Sequence, residues 1–260
     1  MSSLFDLTGK TAIVTGSTRG IGEAIAKRFA EHGANVVVSS RKADAVDKTT
    51  AEINADWAKS GNRAIGVPCN ISDKADLQRL VDTTNSEFGQ VDILVCNAAV
   101  NPFFGPSADI PDDAFDKIMG SNVKSNHWLC NMVLPQMKER GEGSITIISS
   151  IGGLKGSEVI GAYCISKAAD FQLARNLACE HGRDGVRVNA IAPGLIQTYF
   201  AKALWDNPDI LKASTSGSAL KRIGQPDEIA GAAVFLASDA GAFTTGQGIV
   251  VDGGATITGG

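Results

Sequence analysis

The feature that most constrains this chain is a regular alternation, from residue 11 to residue 251, of short β-branched runs with longer amphipathic stretches. Strands are expected at 11–15, 35–40, 63–68, 91–96, 144–149, 186–191 and 248–251. Helices are expected at 20–32, 44–60, 73–88, 112–138, 161–181 and 226–238, where apolar residues such as Ile21, Ala24, Ile25 and Phe29 recur at helical spacing. Strands alternating with helices require right-handed crossovers, which produce a parallel sheet covered on both faces. Continuous apolar strands such as Val36-Val37-Val38 suit burial on both sides. The fold class is therefore α/β, a doubly wound parallel sheet. Such a sheet binds ligands beyond the carboxyl ends of its strands, where the winding reverses. No repeat, low-complexity tract or long polar linker interrupts residues 1–260, which read as one domain.

Composition narrows the function classes. The net charge of −4 argues against nucleic-acid binding, and Lys and Arg are too dispersed for a membrane-binding patch. No apolar run reaches membrane-spanning length. Neither a secretory signal at Met1–Lys10 nor a peroxisomal address at Ile257–Gly260 is evident, so a cytoplasmic location is the expectation. The five cysteines include no CxxC pair, and three lie in apolar runs, reading as buried free thiols. His32, His127 and His181 are scattered, so no metal is expected.

Between the first strand and first helix lies Gly16-Ser17-Thr18-Arg19-Gly20-Ile21-Gly22. Glycines at such a junction permit a tight turn and let backbone N–H groups and the helix N-terminus approach a pyrophosphate. A glycine cluster alone is a weak signal; its place after an apolar strand and before a helix points to a dinucleotide. The second strand then ends Ser39-Ser40-Arg41-Lys42. An acidic residue there would bind the ribose hydroxyls of NAD(H) and repel a 2′-phosphate. Ser40 takes that place, and Arg41, with Arg19 from the glycine turn, forms a candidate phosphate clamp. NADP(H) is the preferred cofactor, with NAD(H) left open. Solvation of a loop is the plain alternative for Arg41 and Lys42.

Tyr163 and Lys167 stand at i and i+4 near the start of a helix, on one face. A phenol titrates near pH 10, and a neighbouring ammonium favours its anion. The strand at 144–149 delivers Ser150 to the same cleft. YxxxK alone is commonly a surface pair; the context makes it informative.

Taken together, the chain resembles the short-chain dehydrogenases/reductases over essentially its whole length. The matching pieces are TGSTRGIG at 15–22, NAA at 97–99, Asn122, ISS at 148–150, YCISK at 163–167, NAIAPG at 189–194 and TGQGIVVDGG at 245–254. The resemblance implies a single Rossmann-like domain of about seven strands, commonly a homotetramer or dimer. It implies that Ser150 binds the substrate oxygen and Tyr163 transfers the proton. Lys167 would bind the nicotinamide ribose and lower the tyrosine pKa, and Asn122 would hold a water linking Lys167 to solvent. Asn97, Ala98 and Ala99 would support the cofactor, and Pro193, Gly194, Ile196 and Thr198 would contact the nicotinamide. Two departures stand out. Ala99 replaces a glycine, and Asn70 replaces an aspartate that contacts the adenine, a contact left to the backbone at Ile71.

The expected cleft walls are Phe103 and Phe104, Leu154 and Val159, then Leu195, Tyr199, Phe200, Leu204 and Trp205, with Lys155 as the one obvious charge. This lining favours a medium-sized hydrophobic ketone, aldehyde or secondary alcohol, and residues 195–218 read as a lid insertion. Two rival readings share the motifs. A 3-oxoacyl-[acyl-carrier-protein] reductase would need a basic patch for its acidic carrier. A non-catalytic NAD(P)-binding regulator would have no need of Ser150, Tyr163 and Lys167 together.

Overall fold

A computed structural model describes residues 4–58 and 61–258. Seven strands, β1 (Thr11–Thr15), β2 (Asn35–Ser39), β3 (Ala64–Gly66), β4 (Ile93–Cys96), β5 (Gly143–Ile148), β6 (Val186–Pro193) and β7 (Gly248–Val251), form one all-parallel sheet in the order β3-β2-β1-β4-β5-β6-β7. The order reverses between β1 and β4, which opens a crevice above their carboxyl ends.

Alternation along each strand sends side chains to two helical layers. From β1, Ala12 and Val14 join Ile25, Phe29, Val46, Ile53, Ile229 and Val234 in one buried cluster. These come from α1 (Gly20–Glu31), α2 (Ala43–Asp56) and the late helix Pro226–Ala237. Ile13 points the other way, into a cluster with Leu77, Leu80, Leu129, Val133, Phe171 and Leu177. Those residues lie on α3 (Lys74–Phe88), Ser125–Arg140 and Gly161–His181. Each fully buried Leu, Ile or Phe contributes about 1.5–3 kcal/mol, so both faces of the sheet are firmly held.

The long helix expected at 112–138 is three pieces: α4 (Asp112–Met119), a π-helical turn (Gly120–Lys124) and α5 (Ser125–Arg140). Periodicity could not separate them, because the π turn adds a residue without breaking the helix. The next helices are α6 (Gly161–His181), α7 (Pro208–Ser216) and α8 (Pro226–Ala237). Helix α7 and a 3-10 segment at Tyr199–Leu204 occupy the stretch read as a lid insertion. Helix α2 stops at Asp56; the expected end of that helix, residues 59–60, lies outside the described residues. Among the described residues, no helix is long and apolar enough to cross a membrane, and no His/Cys/Asp/Glu group is arranged to hold a metal. Four cysteines are buried, Cys179 is exposed, and all five are free.

Candidate active site

The crevice over β1 and β4 is built by hydrogen bonds between the ends of neighbouring strands. Thr15 Oγ1 accepts the N–H groups of Asn97 and Ala98 at 3.0 and 3.1 Å, and donates to the Val95 carbonyl at 3.3 Å. The Asn97 amide donates back to the carbonyls of Thr15 and Gly16 at 2.8 and 3.2 Å. Asn97 therefore clamps the glycine turn to the end of β4. Gly16 and Gly20 have φ of +65° and +60°, a region that side chains disfavour. A Cβ on Gly20 would press on the Thr198 side chain at 3.1 Å, so the turn also abuts the segment after β6. The N-terminus of α1 has no side-chain cap, so no side chain takes its first N–H groups, and Gly20 and Ile21 there line the cleft.

Three residues read as cofactor contacts do not line this cleft. Ser17 is fully buried; its hydroxyl donates to the Val14 carbonyl at 2.7 Å and accepts the Ser39 N–H at 2.9 Å. It ties the glycine turn to β2 and does not face the cleft. Gly22 packs directly under Gly16 and Asn97, and its role is close packing beneath the turn. Lys42 is the residue before α2; it is exposed and does not line the cleft.

The remaining residues meet in a cleft of ≈ 520 Å³. Its lining includes Thr18, Arg19, Ile21, Ser40, Arg41, Asn70 and Ile71. It also includes Asn97, Ala98, Ala99, Ser150, Tyr163, Lys167, Pro193, Gly194, Ile196 and Thr198. Among the described residues, every charged side chain on this lining is cationic: Arg19, Arg41, Lys117, Lys155 and Lys167. In a chain of net charge −4, that is a local reversal of sign suited to an anionic ligand. The second strand's end carries no carboxylate, the turn glycines leave room for close approach, and the helix N-terminus adds donors. These residues fit a dinucleotide with its phosphates.

The Ser150 Oγ accepts the Gly152 N–H at 3.0 Å, and the Ser150 hydroxyl also bonds the Tyr163 hydroxyl. Tyr163 lies between Lys167, whose Nζ is 5.8 Å from the ring centroid, and Phe200, whose ring is 6.0 Å away. Burial pushes the Tyr163 hydroxyl above its ordinary range; Lys167 and the Ser150 hydroxyl pull it down, and Asp170 pushes it up again. The expected downward action of the ammonium is present, but burial outweighs it. Lys167 is buried, and its Nζ donates to the Ile148 carbonyl at 2.8 Å and to Asp170 Oδ2 at 2.9 Å. Burial lowers the lysine pKa, Asp170 and Tyr163 raise it, and the net direction is upward.

Asn122 stands apart from the expectation. It is fully buried on the π turn, and its side chain does not line the cleft. Its amide grips the Val100 backbone on both sides, accepting from N–H at 2.8 Å and donating to C=O at 3.0 Å, and also donates to Ser166 Oγ at 3.0 Å. The polar chain leading from this turn to Lys167 runs through Asn126 and Asp170, which sequence reasoning passed over. An acid three residues after the lysine of a YxxxK helix was the signal available.

The apolar walls also differ. Leu195, Tyr199, Phe200 and Leu204 line the cleft; Phe103, Phe104, Leu154, Val159 and Trp205 do not. Phe103 folds back under Gly105, whose N–H donates to the Val159 carbonyl at 2.8 Å, so the two loops pair with each other instead of facing inward. Trp205 Nε1 donates to the Thr198 carbonyl at 2.9 Å. Arg19 stacks on the Tyr199 ring, 5.0 Å from its centroid, linking the glycine turn to the segment after β6. Lys117 joins Lys155 and Lys167 as a third lysine on the lining.

Comparison with known proteins agrees with this geometry. Residues 16–256 match a family model described as Enoyl-(Acyl carrier protein) reductase. Dehydrogenase/reductase SDR family member 4 of Bos taurus is 44% identical over 95% of this chain and 88% of its own length, and its Homo sapiens counterpart is 41% identical over the same shares. The chain belongs to the short-chain dehydrogenase/reductase family. Among solved members, a 7α-hydroxysteroid dehydrogenase complexed with NADH and 7-oxo glycochenodeoxycholic acid superposes with a TM-score of 0.90 at 38% identity. That match covers 96% of this chain and 95% of the other. A putative NAD(P)-dependent gluconate 5-dehydrogenase from Beutenbergia cavernae, with bound NADP, has a TM-score of 0.91 at 33% identity, over 98% and 100%. This short-chain dehydrogenase/reductase is accordingly an oxidoreductase acting on CH–OH and C=O groups.

Proposed function

We propose that the protein is an NADP(H)-preferring oxidoreductase of medium-sized hydrophobic ketones, aldehydes or secondary alcohols, with Ser150, Tyr163 and Lys167 as its working side chains. The observation that carries this reading is the convergence of the three on one cleft whose charged lining is entirely cationic. The bound cofactor supplies or accepts the hydride. The protein supplies orientation and the proton. In reduction Tyr163 donates its O–H proton to the substrate oxygen; in oxidation the tyrosine oxygen receives it. Ser150, with its own oxygen already engaged by Gly152, donates to the substrate oxygen and stabilises charge developing there. Lys167 has one N–H beyond those given to Ile148 and Asp170, and that donor is directed to the nicotinamide ribose.

NADP(H) preference is supported by Ser40 and Arg41 at the end of β2, with no acid on the lining to repel a 2′-phosphate. Phe200, Leu204 and Leu195 support a hydrophobic substrate, held under a lid spanning about 195–218. We place the protein in the cytoplasm as a homotetramer or dimer.

The test is Tyr163→Phe, assayed with NADPH and NADH against aromatic and alicyclic ketones and the matching alcohols. Turnover is expected to fall by at least about a hundredfold, the usual contribution of a positioned proton donor, with NADPH affinity retained. Residual turnover near wild type rejects the mechanism. Turnover confined to carrier-bound 3-oxoacyl thioesters would favour the reductase of acyl chains, to which Lys117 and Lys155 would offer a small basic rim. Failure with every compound would favour the regulator.

A further inference from the structure

Helix α6 carries a buried carboxylate that the mechanism above leaves without a task. Asp170 is fully buried, one turn after Lys167. Its Oδ2 accepts from Lys167 Nζ at 2.9 Å, and its Oδ1 accepts from Asn126 Nδ2 at 3.0 Å. The Asn126 amide also donates to the Asn122 carbonyl at 2.7 Å, on the π turn. A continuous set of bonds thus joins the π turn to the lysine, and both carboxylate oxygens are used.

Stability does not account for this arrangement. Two buried ions cost desolvation that their attraction barely repays, and a packed apolar pair of similar volume is commonly as stable or more so. What the pair does achieve is geometric and electrostatic. The flexible lysine stem is pinned at two points, Ile148 and Asp170. The titratable groups facing the pair are Tyr163 on α6 and Cys96 on β4, with Cys130 on α5 bonded to Cys96 behind it. The Cys130 thiol and burial hold the Cys96 thiol well up.

We propose that Asp170 is a positioning residue for the proton-transfer pair: it holds the Lys167 ammonium charged and in place, and its own charge sets how strongly that ammonium acts on Tyr163. The inference rests on Tyr163 being the proton donor. Burial raises the Asp170 carboxyl, while Lys167 and Asn126 pull it back, so its ionised form depends on those two partners.

The experiment is the pH profile of kcat/KM for oxidation of the secondary alcohol turned over fastest, in wild type and Asp170→Asn. Asparagine keeps the shape and removes the charge. With the ammonium unopposed, the acid limb is expected to move to lower pH by about one unit, the usual effect of a charge a few ångströms away. An alkaline fall is expected to appear as the uncompensated lysine loses its proton. A residue that merely packs would scale the whole profile down without moving either limb, and that result overturns the proposal. Should Asp170→Asn not fold, ¹⁵N resonances of the lysine Nζ groups in the wild type, assigned with Lys167→Met, decide the matter. Lys167 is expected to stay protonated through the ordinary lysine range, and titration well below that range overturns the role. Tyr163→Phe run alongside separates the two claims. If it is inactive while the Asp170→Asn limbs do not move, only the role of Asp170 falls. If it is active, the Tyr163 reading falls and takes this inference with it.

Discussion

Gly22→Ala tests the geometry of the glycine turn through a residue that faces away from the cleft. The backbone at Gly22 is ordinary helix, so alanine meets no conformational strain and gains up to about 1 kcal/mol of helix propensity. Its Cβ, however, would lie 2.5 Å from the Gly16 carbonyl oxygen and closer still to Asn97 Nδ2. Neither neighbour yields freely. Gly16 is backbone, and the Asn97 amide donates to Thr15 and Gly16, bonds worth about 1 kcal/mol each. Overpacking of this kind costs about 1–3 kcal/mol, which leaves a net loss of up to about 2 kcal/mol after the helix gain. For a chain of this size each kcal/mol lost lowers Tm by about 2–4 °C. The turn is also displaced from the position in which it cradles phosphates, so NADPH binding should weaken about tenfold, equivalent to about 1.4 kcal/mol. Thermal melts and fluorescence titration with NADPH measure both. Gly231→Ala is the control, because its Cβ would meet nothing within 4 Å on the exposed side of α8. It should raise stability by up to about 1 kcal/mol and leave NADPH affinity alone. If Gly22→Ala behaves like Gly231→Ala, with Tm and affinity unchanged or improved, the turn is not held rigidly by Asn97 and the reasoning is wrong.

Arg41→Asp should exchange a 2′-phosphate ligand for a ribose acceptor and shift the NADPH/NADH ratio of kcat/KM toward NADH by at least about tenfold; an unmoved ratio counts against the charge argument. Glu228 is held down to about 2 from its ordinary 4.5 by Arg222 and the Gln225 N–H. A lowered carboxylate stabilises above its ordinary value and loses that contribution as pH falls toward the folded one. Glu228→Gln should therefore melt below wild type at neutral pH, and the two curves should converge near pH 2. A constant gap across the range would contradict the pairing. Multi-angle light scattering of the purified protein should give a tetramer or dimer mass, and a monomer would dismiss that assembly.

Much of this was legible in the order of residues. The element order and fold class follow from periodicity, because a buried parallel strand and an amphipathic crossover helix each impose a spacing that local composition records. The glycine turn, Arg41, Ser150, Tyr163 and Lys167 were visible for the same reason: each lies at the end of a strand or the start of a helix, and the doubly wound topology brings those ends to one edge. The cleft walls were less legible. Phe103 and Val159 sit in loops whose direction depends on the Gly105–Val159 backbone bond, and Trp205 is turned by the Thr198 carbonyl.

The sheet, its winding and the strand ends available for chemistry are written in the order of residues. Which way the polar groups at those ends turn depends on the folded packing. Ser17 faces β2 because the Ser39 N–H needs an acceptor. Asn122 faces Val100 because that backbone is otherwise unpaired. Asp170 faces Lys167 because a buried carboxylate must find a cation. Buried polar groups take the partners that space provides, and those partners are distant in sequence: 44 residues separate Asn126 from Asp170.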